Sequence, residues 1–219
     1  MKVPEQIQQV ALELRGRHDD FIQKLFKYKI DVPALDLGGG FGLDYRAENK
    51  HLDLARVGEG IHDLITEYSF EDKELILELG RFLVGGCGYY LTPIVDIKVS
   101  RNRKFILTAG GLNHFRRPVD HKVNHPVTVI PGKTPDYLNG AVEVWKEKAD
   151  IGGPLCTPRD LIAKDQYLEY AKIGDSLIFG LAGAYGYSSS PVNFLSFPYP
   201  GEIYCSKTGY REYLVRAEQ

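Results

Sequence analysis

Two short apolar runs, Val32–Leu37 and Leu75–Glu78, set the tightest limit on how this chain folds. Each is bounded by glycine, too short for a helix and too apolar for an exposed strand, so both read as buried parallel strands. A helix separates them, with Leu54, Val57, Ile61, Leu64 and Ile65 on one face between Leu52 and about Tyr68. A further helix is expected from Pro4 to about Lys29, where Ile7, Val10, Leu14, Phe21, Leu25 and Phe26 recur at near-helical spacing and Gly16 interrupts. Helix, strand, helix, strand is the order of a parallel α/β unit. Two parallel strands cannot cover their own faces or pair their own edges. The pattern therefore predicts a piece of something larger, or a part that another chain completes.

Past Gly88 the pattern changes. Strand-like runs at Thr92–Lys98, Phe105–Leu107, Val127–Ile130, Ala141–Trp145, Ser176–Phe179, Gly201–Cys205 and Glu212–Val215 alternate with turn residues, which reads as antiparallel β. The expected fold class is thus α/β plus β, with residues 1–90 forming an α/β part and residues 91–219 a β-domain.

The bulk properties narrow the function. A net charge of −2 over 219 residues argues against a general nucleic-acid binder, which carries a basic excess. No apolar stretch approaches the roughly 20 residues that span a bilayer, so no membrane partner is expected. The first twenty residues hold glutamines and acids where a signal peptide has an apolar core. Cys87, Cys156 and Cys205 are odd in number, widely spaced and without a C-x-x-C pair, which suits free thiols in a cytoplasmic protein.

Four constellations carry chemistry. Gly38-Gly39-Gly40-Phe41-Gly42 follows the first strand, where successive glycines let backbone N–H groups converge on an anion. A plain tight turn is compatible with the same residues; no Walker G-K-[ST] follows, and the register is not that of G-x-G-x-x-G. Glu78-Leu79-Gly80-Arg81 ends the second strand, where a carboxylate would share a rim with the glycine loop and an arginine would fork onto a phosphate or carboxylate. A rim ion pair is the plainer alternative. Gly152-Gly153-Pro154-Leu155-Cys156-Thr157-Pro158-Arg159-Asp160 presents Cys156 at a turn, although a lone cysteine is more commonly a buried packing residue. Gly183-Ala184-Tyr185-Gly186 sets a tyrosine between small residues, where its phenol can donate to a ligand or simply pack.

In their order and spacing these four motifs resemble the pyridoxal-phosphate decarboxylases of the alanine-racemase-like fold, the diaminopimelate, ornithine and arginine decarboxylase family. The resemblance spans about residues 30 to 205. LDLGGGFG resembles that family's phosphate loop, LELGR its E-P-G-R strand end, GPLCTPRD its cysteine turn and GAYG its phosphate-binding tyrosine motif. GPLCTP and SPVNFLSFP are most similar to a branch that decarboxylates carrier-protein-tethered aminoacyl groups.

The resemblance implies a C-terminal fragment of a (β/α)8 barrel followed by an antiparallel β-domain, with pyridoxal 5'-phosphate as cofactor and an amino acid as substrate. Backbone N–H groups of Gly39, Gly40 and Gly80, with Arg81 and the Tyr185 hydroxyl, would hold the phosphate. Glu78 would face the pyridine nitrogen, where a negative group raises the nitrogen's pKa and keeps the ring an electron sink. Cys156 would act at the reacting carbon across a dimer interface, so a homodimer with shared sites is implied. Arg117, six residues after Gly111, matches a substrate-carboxylate arginine, with Arg81 and Tyr185 also beside the substrate.

Four departures qualify the match. Leu79 replaces the proline of E-P-G-R, which leaves the backbone role intact. Thr157 stands where diaminopimelate decarboxylases carry an acid, and His121 where they carry a substrate tyrosine; both changes weaken diaminopimelate as substrate. The family's Schiff-base lysine lies upstream of the glycine loop, and none of Lys2, Lys24, Lys27 or Lys29 sits in a strand-like segment. The resemblance is therefore to the C-terminal portion of an enzyme without its lysine-bearing half, either truncated or completed by a separate chain; a catalytically silent regulatory partner of a full-length decarboxylase is the alternative.

Two remaining signals are set aside. His114, His121 and His125 invite a metal, but Pro126 and strand-like flanks argue against a helix presenting His121 and His125 together, so none is expected. Glu143 and Glu147 with their lysine neighbours read as a solvated face.

Overall fold

A computed structural model describes residues 23–24, 27–28, 31–46, 51–133, 140–206 and the backbone of 213–216. The chain divides into two compact units. One comprises residues 1–44 and 48–83, the other residues 45–47 and 84–219.

In the first unit, β1 (Ala34–Asp36) and β2 (Glu74–Ile76) pair in parallel with Leu35 opposite Leu75. Helix α1 (Leu54–Tyr68) connects them. Asp53 caps it, its side chain accepting from the Arg56 N–H at 3.1 Å, and Ser69 ends it in a left-handed turn. Leu35, Leu37 and Phe70 form a small core, against which Leu64, Ile65, Tyr68 and Leu75 pack. The apolar stripe expected on α1 is thus used only at its C-terminal end; Leu54 stays exposed. The expected long N-terminal helix lies almost wholly outside the described residues; of those, residues 23, 24 and 27 are helical and the Tyr28 N–H donates to the Lys24 carbonyl at 3.0 Å.

Leu75–Glu78 does not form the buried strand that its composition predicts. Strand β2 stops at Ile76, and Ile76, Leu77 and Glu78 are exposed. The cause is pairing: β1 is its one neighbour among the described residues. A short helix, α2 (Gly80–Val84), follows.

The second unit is built on a six-stranded sheet. Its strands are β3 (Tyr90–Ser100), β4 (Arg103–Thr108), β5 (Val127–Ile130), β6 (Val144–Gly152), β7 (Leu161–Ala171) and β8 (Ser176–Phe179), in the spatial order β5-β8-β3-β4-β6-β7. Strands β3 and β4 form a hairpin across Arg101 and Asn102, both at positive φ, as a two-residue turn of matching twist requires. The sheet curls until its edges approach. Asn124, just before β5, donates to the Lys164 carbonyl of β7 at 2.7 Å and accepts the Lys164 N–H at 3.0 Å. Ile94, Ile97, Ile106, Phe115, Val144, Ile151, Ile162, Leu177 and Phe179 fill the interior. A separate pair, β9 (Glu202–Tyr204) and β10 (Tyr213–Arg216), runs antiparallel.

Three expectations for this unit need correction. The sheet is not wholly antiparallel, because β4 and β6 pair in parallel, Lys104 opposite Ala149. A long connection containing helix α3 (Arg117–His121) and β5 carries the chain back to the starting end, as a parallel pair demands. The strand expected at Ala141–Trp145 begins at Val144 and runs to Gly152. Strand β7 has no counterpart in the sequence reading. In both places charges mask the alternation and a kink breaks it, with Lys146 and Asp165 at positive φ. Those charges are paired across strands: Lys104 with Glu147 at 2.6 Å, and Arg103 with the buried Asp150 at 2.7 Å.

Candidate functional site

Within the first unit the glycine loop and the second strand's end form one rim. The Asp36 carboxylate accepts the Gly38 N–H at 2.7 Å, which turns the chain as β1 ends. The Glu78 N–H then donates to the Gly38 carbonyl at 2.7 Å, tying the two loops together. Gly38 and Gly40 have φ of 70° and 90°, a region open to glycine. Gly39 is required for a different reason: a Cβ there would overlap the carbonyl oxygen of Glu78. Among the described residues, no acceptor takes the N–H of Gly39, Gly40 or Gly80. Glu78 and Gly80 are exposed, and Arg81 is half-buried. Gly39 and Glu78 are thus brought together, with Gly40 on one loop and Gly80 and Arg81 on the other. Backbone donors at a glycine loop of this kind suit an anion.

Within the second unit Arg117 is the centre of a stack. It opens α3, with Pro118 as the next residue of that helix. Its guanidinium lies 5.1 Å from the Tyr45 ring centre and 5.6 Å from that of Tyr185, and its Nε–H donates to the Tyr45 hydroxyl at 3.1 Å. Two aromatic rings thus lie within cation–π range of the guanidinium. Tyr185 is held by its turn. It has φ of 56°, its carbonyl accepts the Ser189 hydroxyl at 2.6 Å, and Ser190 accepts the Arg116 N–H at 2.9 Å. Gly183 anchors the turn, since a Cβ there would overlap the Val84 carbonyl.

Behind Tyr45 the stack continues into the core through His125, at 4.5 Å, and Phe115, at 4.8 Å. His125 is buried and its Nδ1–H donates to the Gly180 carbonyl at 2.9 Å. Burial drives its pKa down to about 4; the carbonyl bond opposes this, and the Arg117 charge reinforces it. The folded state therefore keeps His125 neutral where the unfolded chain, with a histidine pKa near 6.5, takes up a proton. Stability is full above about pH 6.5 and falls as the pH drops through the window down to about 4, by on the order of 2–3 kcal/mol. Denaturant titrations at pH 7 and pH 4.5 measure this, and His125→Gln should flatten the difference.

His114 is half-buried. Its Nε2–H donates to the Pro198 carbonyl at 2.8 Å, its Nδ1 faces the Tyr90 hydroxyl at 3.5 Å, and burial lowers its pKa. His121 is exposed at the end of α3.

Cys156 is exposed on the hairpin loop joining β6 to β7, whose base pairs Gly152 with Leu161. The turn thus displays the thiol rather than burying it. Glu147 is engaged by Lys104, which also lowers its pKa, so that face is partly a cross-strand pair. Tyr45 and His125 had no assigned part in the sequence reading of the site. Tyr45 follows the glycine loop with no motif of its own, and His125 stood out only as a metal candidate.

The family model described as "Pyridoxal-dependent decarboxylase, C-terminal sheet domain" matches residues 28–183. The chain is 35% identical over 182 residues to a 2-[(L-alanin-3-ylcarbamoyl)methyl]-2-hydroxybutanedioate decarboxylase of Staphylococcus aureus, covering 83% of this chain and 46% of that protein. It is 34% identical to an L-glutamyl-[BtrI acyl-carrier protein] decarboxylase of Niallia circulans, covering 81% of this chain and 42% of that protein. The crystal structure of a diaminopimelate decarboxylase from M. jannaschii, in complex with L-lysine, matches with a TM-score of 0.76 and 28% identity, covering 97% of this chain and 46% of that one. The chain spans less than half the length of these relatives.

Proposed function

The chain belongs to the pyridoxal-dependent decarboxylase family, and from that premise we propose that it carries the phosphate cradle and substrate arm of an enzyme releasing CO2 from an amino acid. Residues 1–90 would supply the last units of a (β/α)8 barrel, and residues 91–219 the β-domain. One observation carries the reading: the close approach of Gly39 to Glu78, which joins two loops whose Gly39, Gly40 and Gly80 N–H groups meet no acceptor among the described residues.

Those N–H groups, with Arg81 and the Tyr185 hydroxyl, would hold the cofactor phosphate. The Glu78 carboxylate would hold a proton on the ring nitrogen. Pyridoxal phosphate supplies the electron sink for the pair left by departing CO2. Arg117, fixed between Tyr45 and Tyr185, would bind and orient a substrate carboxylate. Cys156, on its exposed hairpin, would deliver a proton to the substrate carbon in a neighbouring subunit of a cytoplasmic homodimer. Thr157 beside Cys156, and His121 on α3, favour an amino acid whose distal end is not the amino group of diaminopimelate, a carrier-tethered aminoacyl group included.

The test supplies the chain with a lysine-bearing barrel half, taken from the Staphylococcus aureus relative, and records pyridoxal absorbance and CO2 release. Both should appear in the mixture and in neither part alone. Release by this chain alone would overturn the assignment of the lysine to the other half. Failure of the mixture to capture pyridoxal phosphate would overturn the cradle. The exposure of Cys156 also supports a second reading, a silent partner lending its thiol to a full-length decarboxylase; a changed rate of that enzyme, without cofactor capture here, would select it.

A further inference from the structure

Asp160 is a buried carboxylate, 5% exposed, at the end of the Cys156 hairpin loop. Its Oδ2 accepts the N–H of Leu155, the residue before Cys156, at 2.8 Å. Its Oδ1 accepts the N–H of Leu112 at 2.6 Å, in the loop that leads to Arg117. The same carboxylate is wedged between two glycines. A Cβ on Gly111 would strike Oδ1, and one on Gly153 would lie 2.5 Å from Oδ2. The two glycines also press on each other, since a Cβ on Gly111 would sit 2.5 Å from the Gly153 Cα. Two glycines and two N–H groups from separate loops thus converge on one side chain. Nearby, the Arg159 guanidinium reaches Asp120 of α3 at 3.4 Å, and Asp120 also pairs with Arg116 at 2.5 Å. These outer pairs are exposed and contribute little; the buried carboxylate is the strong link.

We propose that Asp160 is a positioning residue that locks the Cys156 loop to the Arg117 loop, so that thiol and guanidinium hold one fixed spacing. The significance of that spacing rests on the roles proposed for Cys156 and Arg117, but the lock itself does not. A thiol on an eight-residue glycine- and proline-containing connection would otherwise sample many positions, and proton delivery tolerates little misplacement. Asp160 fixes the loop from inside without touching the substrate.

The test needs no activity, so it separates failure of the lock from failure of the decarboxylase reading. In the wild-type chain, hydrogen exchange should show the Leu112 and Leu155 amides protected like the amides of β7, although both lie in loops. Asp160→Ala should speed exchange at both by about tenfold or more. Asp160→Asn keeps one acceptor oxygen and should release only one of them. Alkylation by iodoacetamide, read per cysteine by mass spectrometry, should accelerate at Cys156 in Asp160→Ala while Cys87 and Cys205 keep their rates. Unprotected Leu112 and Leu155 amides in the wild type would overturn the proposal, and this arm needs no variant to fold. A Cys156 rate that stays fixed relative to Cys87 in folded Asp160→Ala, or rises only in step with the other two, would overturn it as well.

Discussion

Gly39→Ala is expected to destroy cofactor capture while leaving the second unit intact. The new methyl group would overlap the Glu78 carbonyl, a backbone atom that no rotamer change can move aside. Relief requires the two loops to part, which breaks the Glu78 N–H to Gly38 carbonyl bond and scatters the N–H groups of the proposed cradle. Overpacking of this kind costs about 1–3 kcal/mol. Its larger effect is on binding, because a phosphate cradle works only while its donors converge. Pyridoxal absorbance in the combined enzyme should vanish, and circular dichroism should retain the β-domain signal. Gly42→Ala is the control: a Cβ there meets nothing within 4 Å, and the position lacks positive φ, so capture should persist.

Phe115→Ala should be among the most damaging single changes to the stability of the second unit. Phe115 is fully buried and makes ring contacts with Tyr90 at 5.2 Å, Phe179 at 5.9 Å and His125 at 4.8 Å. Its removal leaves a cavity where strands β3, β5 and β8 converge, and truncations of this size cost about 3–5 kcal/mol. The damage should also travel outward. Without Phe115 behind it, His125 loses the edge contact that sets its ring, and Tyr45 and Arg117 lose their backing. Denaturant unfolding measures the first effect. For the second, Phe115→Leu is the informative variant, since it refills much of the volume but supplies no ring; the ring-current shifts of Tyr45 and His125 should change while most of the stability returns.

The parts of the site legible in the sequence are those made by neighbouring residues. Gly38–Gly42, the Cys156 turn and the Tyr185 turn are local conformational demands, met by glycine and proline, and these residues occur at turns in the fold. Val127–Ile130 and Ser176–Phe179 were likewise readable, because a short β-branched or aliphatic run next to a turn has few alternatives. Strand β7 was not. Its Lys164, Asp165 and Glu169 interrupt the apolar pattern, and the left-handed kink at Asp165 flips the faces midway, so the alternation that marks a strand changes phase. Tyr45, His125 and Asp160 were opaque for another reason. Their parts in the site come from partners far along the chain, Arg117, Gly180 and Leu112, and no local pattern records such a meeting.

The parallel pairing of β4 with β6 bears on how the second unit reaches its fold. Hairpins β3–β4 and β6–β7 close over short loops and can zip on the microsecond scale. The β4–β6 seam joins them only after the long segment containing α3 and β5 has been gathered, at a cost in loop-closure entropy. The sheet should therefore assemble as two early hairpins that meet late, with slow overall folding typical of non-local β topologies. The last event to form would be the seam that joins the two hairpins into one sheet.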